Sequence, residues 1–312
     1  MTPLPASATT AVAFFAPGGP EVLTVIDLPA GEPGPGETLI RVSAAAVHPA
    51  DVAVRAGGRP IEGGPPFVPG MAVAGTVEIA GESSRWEVGD RVMTMTLPSS
   101  PYRGGYRGSV VAPDDTVAGV PDTLSLEVAA TLPMNGHTAL QILDALDARA
   151  GMTIAVTGAA GALGSLVVPL ALARGARVIA ASRPGDRERL AELGPDVVVC
   201  ADDLIAGILT AAGGTVDAVV DLAVLDADIV PIVRPGGRIA SLRGWRGPEA
   251  GDVTVHAVAV PREWHRGGRL DAVARIAARD RPVEVFAPHD AARAHRLLQA
   301  GGLRRSLVLS FA

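Results

Sequence analysis

The chain has 312 residues, 48% of them apolar, and a formal net charge of −6. That length supports two domains and a sizeable core, and the acidic balance argues against nucleic acid or an anionic membrane as the main partner. The single cysteine, Cys200, excludes an internal disulfide and any multi-cysteine zinc site.

All 27 basic residues are arginine, so lysine Schiff-base and lysine acid–base chemistry are excluded. No apolar run is long enough to span a membrane. The opening MTPLPASATTAVAFF lacks a basic n-region and a cleavage pattern, so no signal peptide is read and cytoplasm is the expected compartment.

Residues 11–120 read as a β-rich domain. Short apolar runs at Thr38–Val42, Ala72–Ile79 and Arg91–Met95 are cut by Gly and Pro clusters such as Pro33-Gly34-Pro35-Gly36, Gly63-Gly64-Pro65-Pro66 and Gly104-Gly105. The pattern suits a compact antiparallel barrel with functional loops.

From Leu124 the pattern changes to alternating strand and helix. Thr153–Thr157 is short, apolar and β-branched, as a buried parallel strand requires. Gly158-Ala159-Ala160-Gly161-Ala162-Leu163-Gly164 follows, with glycines at three-residue spacing. Leu163, Leu166, Val167, Leu170 and Ala171 then recur with helical period, Gly175 ends the helix, and Arg177–Ala181 makes the next strand. A glycine-rich turn between a buried strand and a helix brings backbone N–H groups against a pyrophosphate at the helix N-terminus. The alternative is a tight turn with no ligand.

The end of that second strand reads Ala181-Ser182-Arg183-Pro184-Gly185-Asp186-Arg187. No acid stands directly at the strand end to bind ribose hydroxyls, whereas Arg183 is placed to meet a 2′-phosphate through its planar fork. Ser182 can add a hydroxyl and Arg187 a second cation. This points to NADPH; the alternative is that both arginines are solvated charges opening the next helix.

Strands are expected at Val197–Cys200, Val216–Asp221, Arg238–Leu242, Val253–Val260 and Leu307–Ser310, and helices at Arg187–Leu193, Leu204–Ala212, Leu270–Arg279 and Ala291–Ala300. The central part is a doubly wound parallel sheet. Val253–Val260 should form one sheet edge, and the closed pairing of like edges predicts a homodimer.

Several motifs, in order, carry a family resemblance. They are Gly18-Gly19-Pro20-Glu21-Val22-Leu23, Pro33-Gly34-Pro35-Gly36-Glu37, Val47-His48-Pro49-Ala50-Asp51, Phe67-Val68-Pro69-Gly70 with Ala74-Gly75, and Val88-Gly89-Asp90-Arg91-Val92. Ala129-Ala130-Thr131-Leu132-Pro133 with Thr138-Ala139 and Val233-Arg234-Pro235-Gly236-Gly237-Arg238 complete the set. The chain resembles the medium-chain dehydrogenase/reductase superfamily, in its zinc-independent quinone oxidoreductase (zeta-crystallin-like) branch.

The resemblance implies an α/β architecture, a Rossmann doubly wound sheet plus a GroES-like β-barrel catalytic domain. It places the catalytic domain at 1–123, completed by 261–312, and the NADP-binding domain at 124–260. It also implies the homodimer. Zinc-dependent relatives carry three catalytic ligands at positions that fall here near His48, Met71 and Met134. Only His48 could bind zinc, and a catalytic zinc needs three protein ligands, so no metal is expected. Without a Lewis acid, quinones and polarised C=C bonds are favoured, because hydride addition gives a delocalised phenolate or enolate.

His48 stands where the family usually has Asn, near the substrate, and can donate a hydrogen bond or proton to a substrate oxygen. The alternative is a packing histidine. Asp51 is read as fixing the loop through hydrogen bonds. Arg59 replaces a pocket tyrosine, with a solvated loop arginine as the alternative. Met71 and Trp245 are further pocket candidates, and Thr138 a cofactor contact by resemblance. Tyr106 reads as structural, and His265, His289 and His295 as surface positions. The leading expectation is an NADPH-dependent reductase of a quinone or an enone, acting on a small molecule without metal. The alternatives are an enoyl-thioester reductase of a biosynthetic pathway and a non-catalytic nucleotide-binding protein.

Overall fold

The computed structural model describes residues 8–59, 61, 63–99, 103–248, 251–277 and 281–312. Residues 1–7 of the leader reading, Pro60 beside Arg59, and positions 278–279 of the helix expected to reach Arg279 lie outside them. The chain divides into two compact units, Met1–Met134 with Glu263–Ala312, and Asn135–Arg262.

The first unit opens with a two-stranded antiparallel ribbon of β1 (Ala8–Ala13) and β2 (Thr24–Pro29). Then come β3 (Glu37–Val47), helix α1 (Pro49–Arg55), β4 (Ala72–Ala80), β5 (Arg91–Met95), β6 (Ser109–Pro113), β7 (Val117–Gly119) and helix α2 (Leu126–Ala130). Helix α3 (Leu132–Ala145) carries the chain into the second unit within its first turn. The division thus falls later than the expected boundary after residue 123. The reason is packing: α2 lies against β3, β4 and β5, and the Arg91 guanidinium donates to the carbonyls of Pro121 and Leu124.

The second unit alternates β8 (Thr153–Thr157), α4 (Gly164–Ala173), β9 (Arg177–Ser182), α5 (Arg187–Glu192), β10 (Val197–Cys200), α6 (Leu204–Ala212), β11 (Val216–Asp221), β12 (Val233–Ser241) and β13 (Thr254–Ala257). All six strands run parallel in the order β10-β9-β8-β11-β12-β13. The order reverses between β8 and β11, which makes the carboxyl ends of those two strands the switch point where such sheets bind ligands. Both faces are covered, so strands such as Thr153–Thr157 read as continuous apolar runs. Ile179, Val219, Ile229 and Ile239 sit in one buried cluster. Each such side chain contributes roughly 1.5–3 kcal/mol by leaving water. The strand expected over Val253–Val260 pairs only over Thr254–Ala257, because Pro261 follows and Val260–Glu263 turns into a short 3-10 helix.

The chain then returns to the first unit with α7 (Leu270–Ile276), β14 (Val283–Phe286), α8 (Ala291–Ala300) and β15 (Ser306–Ser310). Its main sheet has the order β14-β15-β3-β4-β5-β7, with β6 paired to β3. Pairing is antiparallel except between β14 and β15, so the expected all-antiparallel barrel contains one parallel pair. That pair follows from α8, which crosses over between the two strands.

Candidate functional site

The turn after β8 is shaped by its glycines. Gly158 has φ +60°, in the left-handed region, and a Cβ there would come within 3.2 Å of the Leu222 and Ala223 backbone. At Gly164 a Cβ would meet the Ala159 carbonyl oxygen at 2.5 Å, so only glycine lets α4 start this close to the turn. Leu163, at the N-cap, supplies no side-chain hydrogen bond to the first turn. The Ser165 and Leu166 N–H groups donate to the carbonyls of Gly161 and Leu163, so what the helix start offers an anion is its positive dipole end beside the glycine turn. A dinucleotide pyrophosphate fits this cradle.

The switch point is locked by two polar strand ends. The Thr157 hydroxyl donates to Asp221 Oδ1 at 2.8 Å and accepts from the N–H groups of Leu222 and Ala223 at 3.0 and 3.1 Å. Asp221 Oδ2 accepts from the N–H groups of Leu225 and Asp226 at 2.8 and 2.9 Å. Both side chains are buried. The sequence reading passed over them, although a polar residue closing an apolar buried strand must find a partner.

At the end of β9, Ser182 is buried and its hydroxyl donates to Asp186 Oδ2 at 2.6 Å. The acid missing from the strand end thus stands four residues on, buried and engaged by Ser182. Arg183 and Arg187 are exposed and in no ion pair among the described residues. Arg189, on α5, donates from Nε to the Ala160 carbonyl at 3.0 Å, which ties that helix to the glycine-rich turn. Thr138 is buried on α3 beside fully buried His137. Trp245 is half-buried against the apolar cluster of the parallel sheet, its carbonyl accepting from the Ser241 hydroxyl. A cavity of about 460 Å³ opens beside β13, lined by Gln141, Arg246, His256 and Arg262 among others.

In the first unit, His48 and Met71 lie side by side. β3 and β4 pair antiparallel with Ala45 opposite Val73, so His48 leaves β3 at the end where Met71 enters β4. Both are buried. Asp51 is wholly buried and ties the two loops: Oδ2 accepts from the His48 N–H at 2.8 Å and Oδ1 from the Gly70 N–H at 3.0 Å. His48 Nδ1 lies 3.7 Å from the same carboxylate. Arg59 is exposed. Met71 and Met134 carry thioethers at two of the three zinc positions, so this donor set does not suit a catalytic zinc. Among the described residues no three His, Cys, Asp or Glu stand together as a metal-binding group.

One histidine reading needs correction. His265 and His289 are exposed, but His295 is wholly buried, with Nε2 3.2 Å from the Tyr106 hydroxyl. Helix α8 is amphipathic, and His295 falls on the face that packs on α1 and the sheet, next to Ala291 and Ala294. Burial pushes its pKa down to about 4, with Asp51 opposing and Arg55 reinforcing the shift. Tyr106 is likewise buried, its pKa raised well above 10 by burial and then by Asp51.

Residues 34–122 match the alcohol dehydrogenase GroES-like domain family. The quinone oxidoreductase of Sus scrofa is 35% identical over 173 residues, which cover 54% of this chain and 51% of that protein. The chain thus spans about half the length of the curated relatives it matches. Over whole chains, the quinone oxidoreductase of Pseudomonas syringae pv. Tomato DC3000 superposes with a TM-score of 0.82 at 27% identity, covering 97% of this chain and 99% of that one. An NAD-dependent alcohol dehydrogenase gives 0.84 at 29% identity, covering 96% and 99%. Among the described residues no helix is long and apolar enough to cross a membrane. The GroES-like sheet, the six-stranded parallel sheet with its glycine-rich turn, and these likenesses converge: residues 34–122 belong to the alcohol dehydrogenase GroES-like domain family, and the chain as a whole is similar to the quinone oxidoreductase branch of the medium-chain dehydrogenase/reductase superfamily.

Proposed function

We propose that this protein is an NADPH-dependent oxidoreductase that reduces a quinone or an activated C=C bond of a small molecule without a metal. The observation that supports it most is the cradle formed by Gly158, Gly164 and the start of α4, which suits a dinucleotide pyrophosphate. Nicotinamide, when bound, supplies the hydride. Exposed Arg183 and Arg187 recognise the 2′-phosphate, while Ser182 engages Asp186 and so tempers the acid that would otherwise favour ribose hydroxyls. His48, held by Asp51, donates to the substrate oxygen as charge develops there. The neighbouring NAD-dependent structure makes the choice of dinucleotide the first point to test.

NADPH is titrated against wild type and Gly164→Val, followed by a screen of quinones, enones and a crotonyl thioester for loss of NADPH absorbance, with and without exhaustive chelation. Wild type should bind NADPH, the variant should not, and quinone or enone turnover should survive chelation. Turnover of the thioester alone would replace this reading with that of an enoyl-thioester reductase. Binding without any turnover would make the protein a nucleotide-binding module.

A further inference from the structure

Below the His48 loop lies a chain of buried polar groups that no step above uses. Asp51 receives the N–H groups of His48 and Gly70 and has a third neighbour, the Tyr106 hydroxyl, 3.4 Å from Oδ2. The same hydroxyl lies 3.2 Å from His295 Nε2 on α8, with the two rings edge to face at 5.8 Å. Tyr106, Asp51 and His295 are all wholly buried.

The chemistry of the three groups fixes the direction of the chain. A carboxylate only accepts, so the one hydroxyl proton of Tyr106 goes to Asp51. The Tyr106 oxygen then accepts, and His295 must carry its proton on Nε2. Its Nδ1, buried without a partner, is left as a bare lone pair. The opposite tautomer would bury an unpaired N–H instead. His295 is neutral near pH 7 because burial disfavours its cation; Asp51 and Arg55 are the charged groups that act on it, and Glu21 faces Arg55 in turn.

We propose that Tyr106 and His295 are positioning residues: a directed relay from His295 through Tyr106 to Asp51 sets the backbone of His48 and Gly70, and with it the placement of His48 and Met71. The relay joins α8, near the end of the chain, to a loop about 245 residues earlier. Asp51 has two neutral N–H donors from the loops it ties, and the Tyr106 O–H is the donor that pins it from below. Losing that donor frees the carboxylate to turn, and both loops move with it.

The catalytic half of this inference rests on the role given to His48 above; the structural half does not. Tyr106→Phe and His295→Leu each remove one donor, and His295→Gln keeps an N–H that reaches the Tyr106 oxygen. Amide hydrogen exchange is read at His48 and Gly70, and kcat, KM and the NADPH Kd are measured beside it. Loss of one hydrogen bond should speed exchange at both amides roughly five- to tenfold and lower kcat by a similar factor, with the NADPH Kd unchanged. The double variant should be no worse than either single one, because both act through one path. His295→Gln should restore wild-type exchange. Unchanged exchange in Tyr106→Phe, or His295→Gln impaired as badly as His295→Leu, overturns the relay. Should His295→Leu fail to fold, Tyr106→Phe decides alone. Altered exchange with kcat unchanged would keep the relay and remove His48 from the chemistry.

Discussion

Thr157 and Asp221 close neighbouring parallel strands in register, and the hydroxyl of the first donates to the carboxylate of the second at 2.8 Å. Between them they receive four backbone N–H groups from residues 222–226, so the loop over the switch point is fixed by two side chains. Asp221→Ala strips two loop N–H groups and the Thr157 hydroxyl of their acceptor. It should cost about 2–4 kcal/mol, against about 1–2 kcal/mol for Thr157→Val. Urea unfolding midpoints check this; a loss below roughly 0.5 kcal/mol for Asp221→Ala would show that water replaces the carboxylate.

Arg183 follows β9 directly and is exposed, free to meet a phosphate. Arg183→Ala should weaken NADPH roughly ten- to hundredfold, the worth of one charge-assisted contact, and leave NADH unchanged. Fluorescence titration of both cofactors decides the matter. Equal wild-type affinities would sink the assignment of NADPH.

His48→Asn restores the residue the family usually carries and roughly preserves size. A positioned general acid contributes about 10²–10⁴-fold. The variant should bind NADPH normally and lose turnover within that range. An unchanged rate would reduce His48 to packing.

His295 sets an acid limit on stability. Its folded pKa is about 4, below the ordinary value of 6.5, so the folded state binds fewer protons between those values. Stability is fully present above about pH 6.5, falls as pH drops through the window, and is lost by about pH 4, a total on the order of 3 kcal/mol. His295→Gln should flatten this slope in urea midpoints taken from pH 7 to pH 4. A slope equal to wild type would place the acid sensitivity elsewhere.

β13 ends the parallel sheet with one edge unpaired by any strand of this chain among the described residues, and Val255 and Ala257 are half-buried on it. Pairing of like edges about a two-fold axis should give a particle of twice the chain mass in light scattering at micromolar concentration. Val255→Pro removes an edge N–H, because Val258 donates to Ser241 on β12 and the odd-numbered residues of β13 face away from it, and should shift the particle to monomer. A monomeric wild type would refute the dimer.

Local patterns were strong where one segment decides its own structure. Thr153–Thr157, the glycine spacing and the helical recurrence after it are local, and the elements at Val197–Cys200, Leu204–Ala212, Val216–Asp221 and Ala291–Ala300 match their expected ends. Helix α1 was not legible: seven residues, four of them valine or alanine, carry no helical period, and its start is set by Pro49 and by Asp51, which accepts the His48 N–H locally and the Gly70 N–H from the next loop. β14 is four residues long and becomes a strand by pairing with β15.

By itself the sequence determined the two architectures, the glycine-rich cradle and the candidate residues, because period, glycine spacing and strand composition act over short separations. The tertiary structure alone decided what those residues touch. His295 is polar by type yet buried, because α8 turns that face inward; it meets Tyr106 across 189 residues of chain; and Asp51 joins His48, Gly70 and Tyr106 across separations of up to 55 residues. Hydrogen bonds reach only about 3 Å, so partners far apart in the chain are fixed by the packing of whole elements.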